Sequence, residues 1–236
     1  MNSASIAPVQ QIMLPGSPRI GVVLRRSKRA RRMSLRVSRL KGLVTLSLPI
    51  SCPMAQAEKF VFEKESWIRA HLADLPPTAE AMLGGTFLYQ GQLLTICPGQ
   101  GRQVRAIGEE LLVPGPEAMV GARVKAFLKL QARMRLQEAT ERYAVALGKP
   151  YGRLTLRDTT SRWGSCSTQG NINYSWRLIM APPEVLNYVA AHEVAHLAEM
   201  NHSARFWAVV ERLFPNHAEQ RAWLREHGED LHRYLF

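Results

Sequence analysis

The chain has 236 residues, of which 46% are hydrophobic and 21% charged, a composition typical of a soluble globular protein that can bury a core. No apolar run approaches the roughly 18 residues of a membrane span, and the N-terminus lacks the pattern of a secretory signal. The three cysteines are widely spaced and odd in number, which favours free thiols in a reducing compartment. We therefore expect a cytoplasmic protein without a membrane partner.

The net charge of +12 is concentrated in one basic segment, residues 19–41, which contains ten lysines and arginines. No aspartate or glutamate precedes Glu58. Three interpretations of this segment remain open: a solvated strand face, a surface for an anionic partner such as nucleic acid, or an arginine-rich transit peptide. It has no interleaved aromatic residues, which argues against base stacking but not against contact with phosphates.

In chain order, we expect residues 1–18 to be a flexible tail and residues 22–48 to form a β-hairpin that turns at Gly42. A helix is expected over about 55–75, ended by Pro76-Pro77. Short strands separated by glycine-containing turns follow at 87–89, 92–96, 104–107 and 110–113.

Pro114-Gly115-Pro116 is the best candidate for a linker. A long helix is expected after it, over about 117–147, and then two strands at 153–160 and 171–180 around a loop at 161–167. Helices complete the chain, the last at about 217–235. The predicted class is α+β, organised as a tail (1–18), a β-rich region with one helix and the basic segment (19–115), and a C-terminal domain with a small sheet (116–236).

The most informative motif is His192-Glu-Val-Ala-His196, which His202 follows six residues later. On a helix, His192 and His196 leave the same face and can bind one metal ion. Glu193 then lies beside the open position of the metal, where a general base for a water molecule belongs. His202 can be the third ligand if the helix ends soon after Met200, which leaves the fourth position of a tetrahedral zinc for water.

Glu199 is the rival third ligand, because it lies on nearly the same helical face as the two histidines of the motif. It is better placed to orient the second histidine by accepting a hydrogen bond, so we favour His202 as the ligand. The turn before His202 then needs a residue that accepts a left-handed conformation, and Asn201 is the expected one. Ser203 is expected to cap the following helix.

Several residues near the motif have both a functional and a structural interpretation. Tyr174 could donate a hydrogen bond to a developing oxyanion, but a packed aromatic with a satisfied hydroxyl is favoured. Arg162 and Arg177 bind either a substrate carboxylate or a structural carbonyl, and Cys166 is expected to be a small buried hydrophobe. The remaining C-terminal histidines are expected at the surface: His217, His227 and His232.

These motifs resemble the YgjP-like metallopeptidase family and, more distantly, the SprT-like and Spartan metalloproteases. The resemblance rests on 27–38, Trp67-Ile68, 162–167, 173–179, Ala181-Pro182, Tyr188-Val189 and, most specifically, on 192–197 with Glu199, 201–203 and Phe206-Trp207. It implies a zincin-like peptidase domain that holds one zinc ion per chain and acts on peptides or proteins. It also implies that His192, His196 and His202 are the metal ligands and that Glu193 is the catalytic acid/base.

The leading hypothesis is a zinc-dependent metallopeptidase that hydrolyses peptide bonds with a metal-activated water and Glu193 as general acid/base. A second hypothesis is a nucleic-acid-associated protein anchored by residues 19–41, whose metal site acts on bound proteins or is structural. A third is a hydrolase of non-peptide amides that uses the same zinc chemistry.

Overall fold

A computed structural model describes residues 10–38, 42–75 and 78–236. The chain divides into two compact units, Met1–Pro77 (unit 1) and Thr78–Phe236 (unit 2). Within the described residues the fold is mixed, with six α-helices and several small sheets, as the α+β prediction requires. No described helix is both long enough and apolar enough to cross a membrane.

Unit 1 is a four-stranded sheet with two helices packed on one face. Its elements are β1 (Gln11–Leu14), β2 (Ile20–Ser27), β3 (Ser34–Val37), β4 (Val44–Pro49), α1 (Met54–Glu63) and α2 (Glu65–Ala73). The strand order is β1-β2-β4-β3, in which β3 and β4 form the predicted antiparallel hairpin and β2 runs parallel to β4. Alternate strand residues, including Val22, Val44 and Leu46, are fully buried with Val61 and Ile68 of the helices, which makes one face of the sheet the core.

The predicted flexible tail is partly a strand. Residues 11–14 pair antiparallel with β2, and Ile12 and Leu14 are buried in the core of unit 1. Two apolar side chains on one face of a paired strand stabilise an ordered segment, so this part of the prediction was wrong. Residues 1–9 lie outside the described residues.

The helix predicted over 55–75 is two helices. The break lies at Lys64, whose backbone leaves helical geometry (φ −100°, ψ 8°), so α1 ends there and α2 begins immediately afterwards. α2 ends at Ala73, and the predicted stop at Pro76-Pro77 lies outside the described residues.

Unit 2 contains the remaining elements: β5 (Ala79–Glu80), β6 (Thr86–Tyr89), β7 (Gln92–Gly99), β8 (Arg105–Ile107), β9 (Glu110–Pro114), α3 (Val120–Leu147), β10 (Leu154–Arg157), β11 (Gly164–Cys166), β12 (Ile172–Ser175), α4 (Pro183–Ala195), α5 (Ala204–Leu213), α6 (His217–His227) and β13 (Tyr234–Leu235). Short 3-10 helices cover Glu117–Met119, Trp176–Met180 and Gly228–His232. The strands form three sheets, in the orders β6-β7-β9-β8, β10-β12-β11 and β13-β5.

The division of the chain lies at 77/78, whereas the sequence suggested 115/116. The β6-β7-β9-β8 sheet shares a hydrophobic core with the helices that follow it, because Phe87, Leu94 and Leu111 pack in one cluster with Val124 and Leu128 of α3. A continuous core makes these elements one unit, so the Pro-Gly-Pro segment is a turn between packed elements.

Two local differences concern the small sheet of unit 2. The loop predicted over 161–167 contains β11, which pairs antiparallel with β12. The strand predicted over 171–180 ends at Ser175 and continues as the buried 3-10 helix Trp176–Met180. The apolar run in this segment indicates burial, and a strand and a 3-10 helix can both be buried.

Helix α4 is held in the middle of unit 2. Nine of its 13 residues are buried, and it packs against α3, α5, α6 and β11. A helix that is apolar on most of its surface is stabilised by partners on several sides. The side chains on the exposed part of α4 are therefore held in place by the elements packed around the helix.

Candidate metal centre

The motif helix begins and ends with local signals. Pro183 occupies its first turn and Glu184 supplies a negative charge at the positive end of the helix dipole. The helix ends at Ala195, with His196 as its C-cap, which is earlier than the predicted end after Met200. His192 and His196 nevertheless lie one turn apart, as the motif predicted.

The chain leaves α4 through a tight turn. The amide of Leu197 donates to the carbonyl of Val194 at 2.9 Å, which is the spacing of a 3-10 turn. Because the helix ends early, the chain reaches His202 without a left-handed residue. The prediction for Asn201 was wrong, since Gln90 and Asn216 are the described non-glycine residues with positive φ.

Ser203 fixes the position of His202 at the start of the next helix. Its side-chain oxygen accepts a hydrogen bond from the amide of Phe206 at 3.5 Å, and α5 begins at Ala204. This confirms the predicted N-cap. His202 is thus the residue immediately before the N-cap, where the chain turns back towards α4.

The structure brings His192, His196 and His202 together. One potential ligand atom from each residue lies within 4.8 Å of the others. The Nε2 atoms of His192 and His202 are 3.1 Å apart, and the ring centroid of His196 lies 5.2 Å and 4.9 Å from those of His192 and His202. Among the described residues, these three form the group that could hold a metal ion.

Glu199 orients the second histidine through its backbone. The carbonyl oxygen of Glu199 lies 3.0 Å from Nδ1 of His196, which leaves Nε2 of that ring for a ligand. The Glu199 carboxylate does not belong to the potential ligand group. The hydrogen-bond acceptor predicted for this position is therefore the main-chain oxygen and not the side chain.

Phe206 packs against all three histidines. Its ring centroid lies 4.9 Å from that of His192, 4.5 Å from that of His196 and 4.7 Å from that of His202. Phe206 is fully buried, so it restricts the three imidazoles to their observed orientations. In the sequence, Phe206 belongs to the most specific part of the family resemblance, but its contact with all three imidazoles was not predicted.

Glu193 is buried beside the histidines. Its side chain is 5% exposed, and its Oε2 atom has no hydrogen-bond partner in the described part of the chain. Burial raises the pKa of Glu193 to about 8, against a smaller opposite effect of the Arg162 charge. A buried carboxyl group with a raised pKa, one of whose oxygens has no described partner, is a candidate for proton transfer.

The histidines and Glu193 line a groove of about 420 Å³. Its wall consists of Arg162, Trp163, Gly164, Ser165, Cys166, Tyr188, Val189, His192, Glu193, His196, Met200, His202 and Leu224. Burial, and to a smaller extent the charge of Glu193, raises the pKa of Cys166 to about 11. This shift favours the protonated thiol at neutral pH, which is a weaker nucleophile than the thiolate.

Burial also affects the protonation of the histidines. It lowers the pKa of His192 to about 3, with further contributions from the charges of His196 and His202. The pKa of His196 is lowered as well, again mainly by burial. Neutral imidazoles have a free electron pair for a metal, so these two rings are ready to act as ligands at neutral pH.

Tyr174 and Arg177 do not belong to the groove. The Tyr174 hydroxyl is buried and lies 3.0 Å from Oγ1 of Thr140, which agrees with the packed interpretation. Arg177 donates to the carboxylate of Asp158 at 2.7 Å and to the backbone oxygens of Leu231 and Tyr234 at 3.0 and 3.2 Å. Arg177 therefore fixes the C-terminal segment, while Arg162 is exposed and lines the groove.

Of the three histidines predicted at the surface, His232 is buried, His217 is half-buried and His227 is exposed. His232 is 6% exposed and its ring lies 5.3 Å from that of Trp163. His217 stacks on Trp207 at 5.3 Å and its Nδ1 lies 2.7 Å from a carboxylate oxygen of Glu211. His227 is exposed, as predicted. The tertiary packing of the C-terminal segment, which local sequence does not reveal, buries His232 and partly buries His217.

A family profile described as YgjP-like, metallopeptidase domain, matches residues 31–227, which is most of the chain. The chain belongs to the YgjP-like metallopeptidase family. The match includes α4, His202 and the groove residues, so the family resemblance seen in the sequence is confirmed. A YgjP-like metallopeptidase is a hydrolase that acts on peptides or proteins, and the three-histidine cluster fits its metal site.

This YgjP-like chain is also similar to a solved structure described as the metallopeptidase zymogen of Pyrococcus abyssi abylysin. The two are 24% identical over 38% of this chain and 93% of the other, with a TM-score of 0.35. No curated protein matches the chain.

Proposed function

We propose that the chain is a zinc-dependent peptidase with Glu193 as its general acid/base and His192, His196 and His202 as ligands of one zinc ion per chain. The observation that carries this proposal is the shared groove. It contains three histidine nitrogens within 4.8 Å of one another and a buried carboxylate whose Oε2 atom has no hydrogen-bond partner among the described residues.

The side chains present fit a zinc ion. Imidazole nitrogens are ligands that zinc prefers, and three protein ligands are typical of catalytic sites, which keep a fourth position for water or substrate. Carboxylate and carbonyl oxygens, which hold calcium and magnesium, are absent from the described potential ligand group. Phe206 and the backbone oxygen of Glu199 hold the rings, which supports a preformed site.

The zinc ion would supply Lewis acidity, which makes water a stronger acid and polarises a carbonyl oxygen. Glu193 would remove a proton from the attacking water and return it to the departing amine nitrogen. Its ionised form is favoured by nearby positive charge, from Arg162 and from a cation held by the histidines. Because Glu193 is buried, its carboxylate has little contact with bulk water.

The wall of the groove suits an extended peptide. β11 is an edge strand of its sheet, and all three of its residues line the groove. The unpaired amides and carbonyls of an edge strand can pair with the backbone of a bound peptide. We therefore also propose a zincin-like arrangement for unit 2, in which the motif helix α4 and the edge strand β11 form two sides of the catalytic groove.

The test is an unbiased peptide-library digest with purified protein, combined with metal analysis. We expect about one zinc per chain, loss of cleavage after the metal is removed with a chelator, and recovery when zinc is restored. A library cleaved equally well by the metal-free protein would overturn the proposal.

A further inference from the structure

The basic segment of unit 1 has no part in the proposed peptidase groove. Between residues 25 and 36 it contains seven exposed basic residues: Arg25, Arg26, Lys28, Arg29, Arg31, Arg32 and Arg36. Arg26 donates to the backbone oxygens of Ile50 and Cys52, both at 2.8 Å, and so has a structural role. The other six form what we call the basic face.

Little within unit 1 neutralises this charge. No acidic residue precedes Glu58 in the chain. Within the described residues, the side chains of Arg25, Lys28, Arg29, Arg31 and Arg32 make no ion pair with a carboxylate. On the surface of a globular protein, charges of both signs are usually interspersed. A segment with this density of positive charge and no acidic residues therefore indicates an anionic partner.

The sheet places the basic face opposite the core. Leu24, Leu46 and Leu35 are paired across β2, β4 and β3 and point towards the core. The neighbouring positions point the other way, and they form two rows: Arg25, Ser47 and Ser34, and Val23, Thr45 and Arg36. Arginines on β2 and β3 therefore flank the small hydroxyl side chains on this open face.

The turn between β2 and β3 extends the same charged surface. It carries Lys28, Arg29, Arg31 and Arg32 and connects the end of β2, where Arg25 lies, to the start of β3. The charges of the turn thus lie at the same end of the sheet as Arg25. Because the flanking strands are anchored in the core, the cations are held on a folded surface and not on a free chain.

We propose that the basic face binds the phosphate backbone of a nucleic-acid duplex without reading its sequence. Five of its six cations are arginines, whose planar guanidinium groups bind phosphate through paired hydrogen bonds. Ser34, Thr45 and Ser47 supply hydroxyl donors of the kind that contact phosphate oxygens. A duplex carries one negative charge per about 1.7 Å of its axis, which matches a dense cluster of cations.

The composition of the segment favours a duplex over a single strand or a lipid bilayer. Residues 19–41 contain no aromatic side chain on which the bases of a single strand could stack. The larger apolar residues among 25–36, Met33 and Leu35, pack against the core of unit 1, which disfavours their insertion into a lipid bilayer. A backbone contact with a duplex needs neither feature.

The test measures binding of fluorescently labelled DNA and RNA duplexes of about 25 base pairs by fluorescence anisotropy, from about 50 to about 200 mM salt. Six phosphate contacts predict a slope of log K against log [salt] of about −5. The fourfold variant Arg25→Ser, Arg29→Ser, Arg31→Ser and Arg32→Ser should reduce the slope to about −2 and weaken low-salt binding at least about 100-fold.

A matched control removes four exposed cations from unit 2: Lys129→Ser, Arg133→Ser, Lys149→Ser and Arg153→Ser. Its affinity should stay within about threefold of wild type. The melting temperature and the peptide cleavage of both variants should equal those of wild type. A loss of nucleic-acid binding with unchanged cleavage can then be judged independently of the proposed peptidase function. If the fourfold variant fails to fold, Lys28→Ser with Arg31→Ser, both in the turn, should still reduce the slope by about two.

Three results would overturn the proposal. They are equal loss of binding in the variant and the control, binding that does not depend on salt, and tighter binding of polyglutamate or of phosphatidylserine–phosphatidylcholine vesicles than of either duplex. Preference for the RNA or the DNA duplex would identify the form of nucleic acid bound.

Discussion

Gly164 of the edge strand β11 lies directly against the carboxylate of Glu193. A Cβ atom at position 164 would be 2.5 Å from Oε1 of Glu193 and 2.6 Å from its Cγ, which is closer than non-bonded atoms approach. The absence of a side chain at this position is therefore what gives the Glu193 carboxylate its place in the groove. The strand and the helix define the position of the proposed acid/base together.

Gly164→Ala should displace Glu193 and impair hydrolysis while the histidine cluster remains intact. We expect kcat/KM for a cleaved peptide to fall at least about tenfold, because the added methyl group must move a buried carboxylate or the strand, and zinc content to stay unchanged. Gly21→Ala is the matched control, since its Cβ would meet the flexible side chain of Gln11 at 3.2 Å in unit 1. Wild-type kinetics in Gly164→Ala would show that this close contact does not position Glu193.

Substitutions of His202 and of Glu199 should have different effects on zinc affinity. His202→Ala should weaken zinc affinity at least about 100-fold, since it removes one of the three proposed ligands, whereas Glu199→Gln should change it less than about threefold. The reason is that Glu199 orients His196 through its backbone oxygen, which the substitution keeps. Competition with a chromophoric chelator measures both affinities. A greater loss in Glu199→Gln than in His202→Ala would make the Glu199 carboxylate the third ligand.

Tyr174→Phe should leave catalysis intact and reduce stability. The Thr140 hydroxyl donates to the carbonyl of Leu136 at 2.6 Å, so Tyr174 is the donor in its contact with Thr140. Loss of this buried hydrogen bond should lower the free energy of unfolding by about 1 kcal/mol, with kcat within about twofold of wild type. Urea unfolding and peptide kinetics check the two parts. A drop in kcat of about 100-fold would instead indicate an oxyanion role.

His232 should make the protein less stable in mild acid. Burial lowers its pKa, assisted by the Arg177 charge and opposed by Asp158 and Glu229. Below the ordinary histidine pKa of about 6.5, the unfolded chain binds a proton that the folded chain does not. The stabilising contribution is thus complete above that pH and is lost as the pH falls towards the lowered pKa.

His232→Phe removes this titration and keeps an aromatic ring beside Trp163. Urea midpoints measured on metal-free protein between about pH 7.5 and pH 5 should fall less in the variant than in wild type. His192 and His196, whose pKa values are also lowered, contribute equally to both proteins, so the difference between the two curves reports on His232. Parallel curves would contradict the assignment.

The sequence predicted the features that depend on short spacings. The His192–His196 pair, the Ser203 cap and the β3–β4 hairpin each follow from residues a few positions apart, which local geometry places together. His202 was predicted by its offset, although the turn before it was not, because an early helix end replaced the left-handed residue expected at Asn201.

Features that depend on distant residues were not predictable in the same way. β11 has only three residues and begins with a glycine, so it shows no alternating pattern, and its contact with Glu193 depends on how the strand packs against α4. The burial of His232 depends on the return of the C-terminal segment to Trp163. The division at 77/78 reflects a core shared between a sheet and a helix, which a proline-rich linker signal does not reveal.

The central claim, that Glu193 is the acid/base of a zinc peptidase, is tested most directly by measuring zinc content and peptide hydrolysis in the same preparation of Glu193→Gln. Glu184→Gln is the matched control, an exposed glutamate on the same helix. We predict that Glu193→Gln keeps about one zinc per chain and loses at least about 100-fold in kcat, while Glu184→Gln retains both zinc and activity. Wild-type hydrolysis by zinc-loaded Glu193→Gln would contradict the claim.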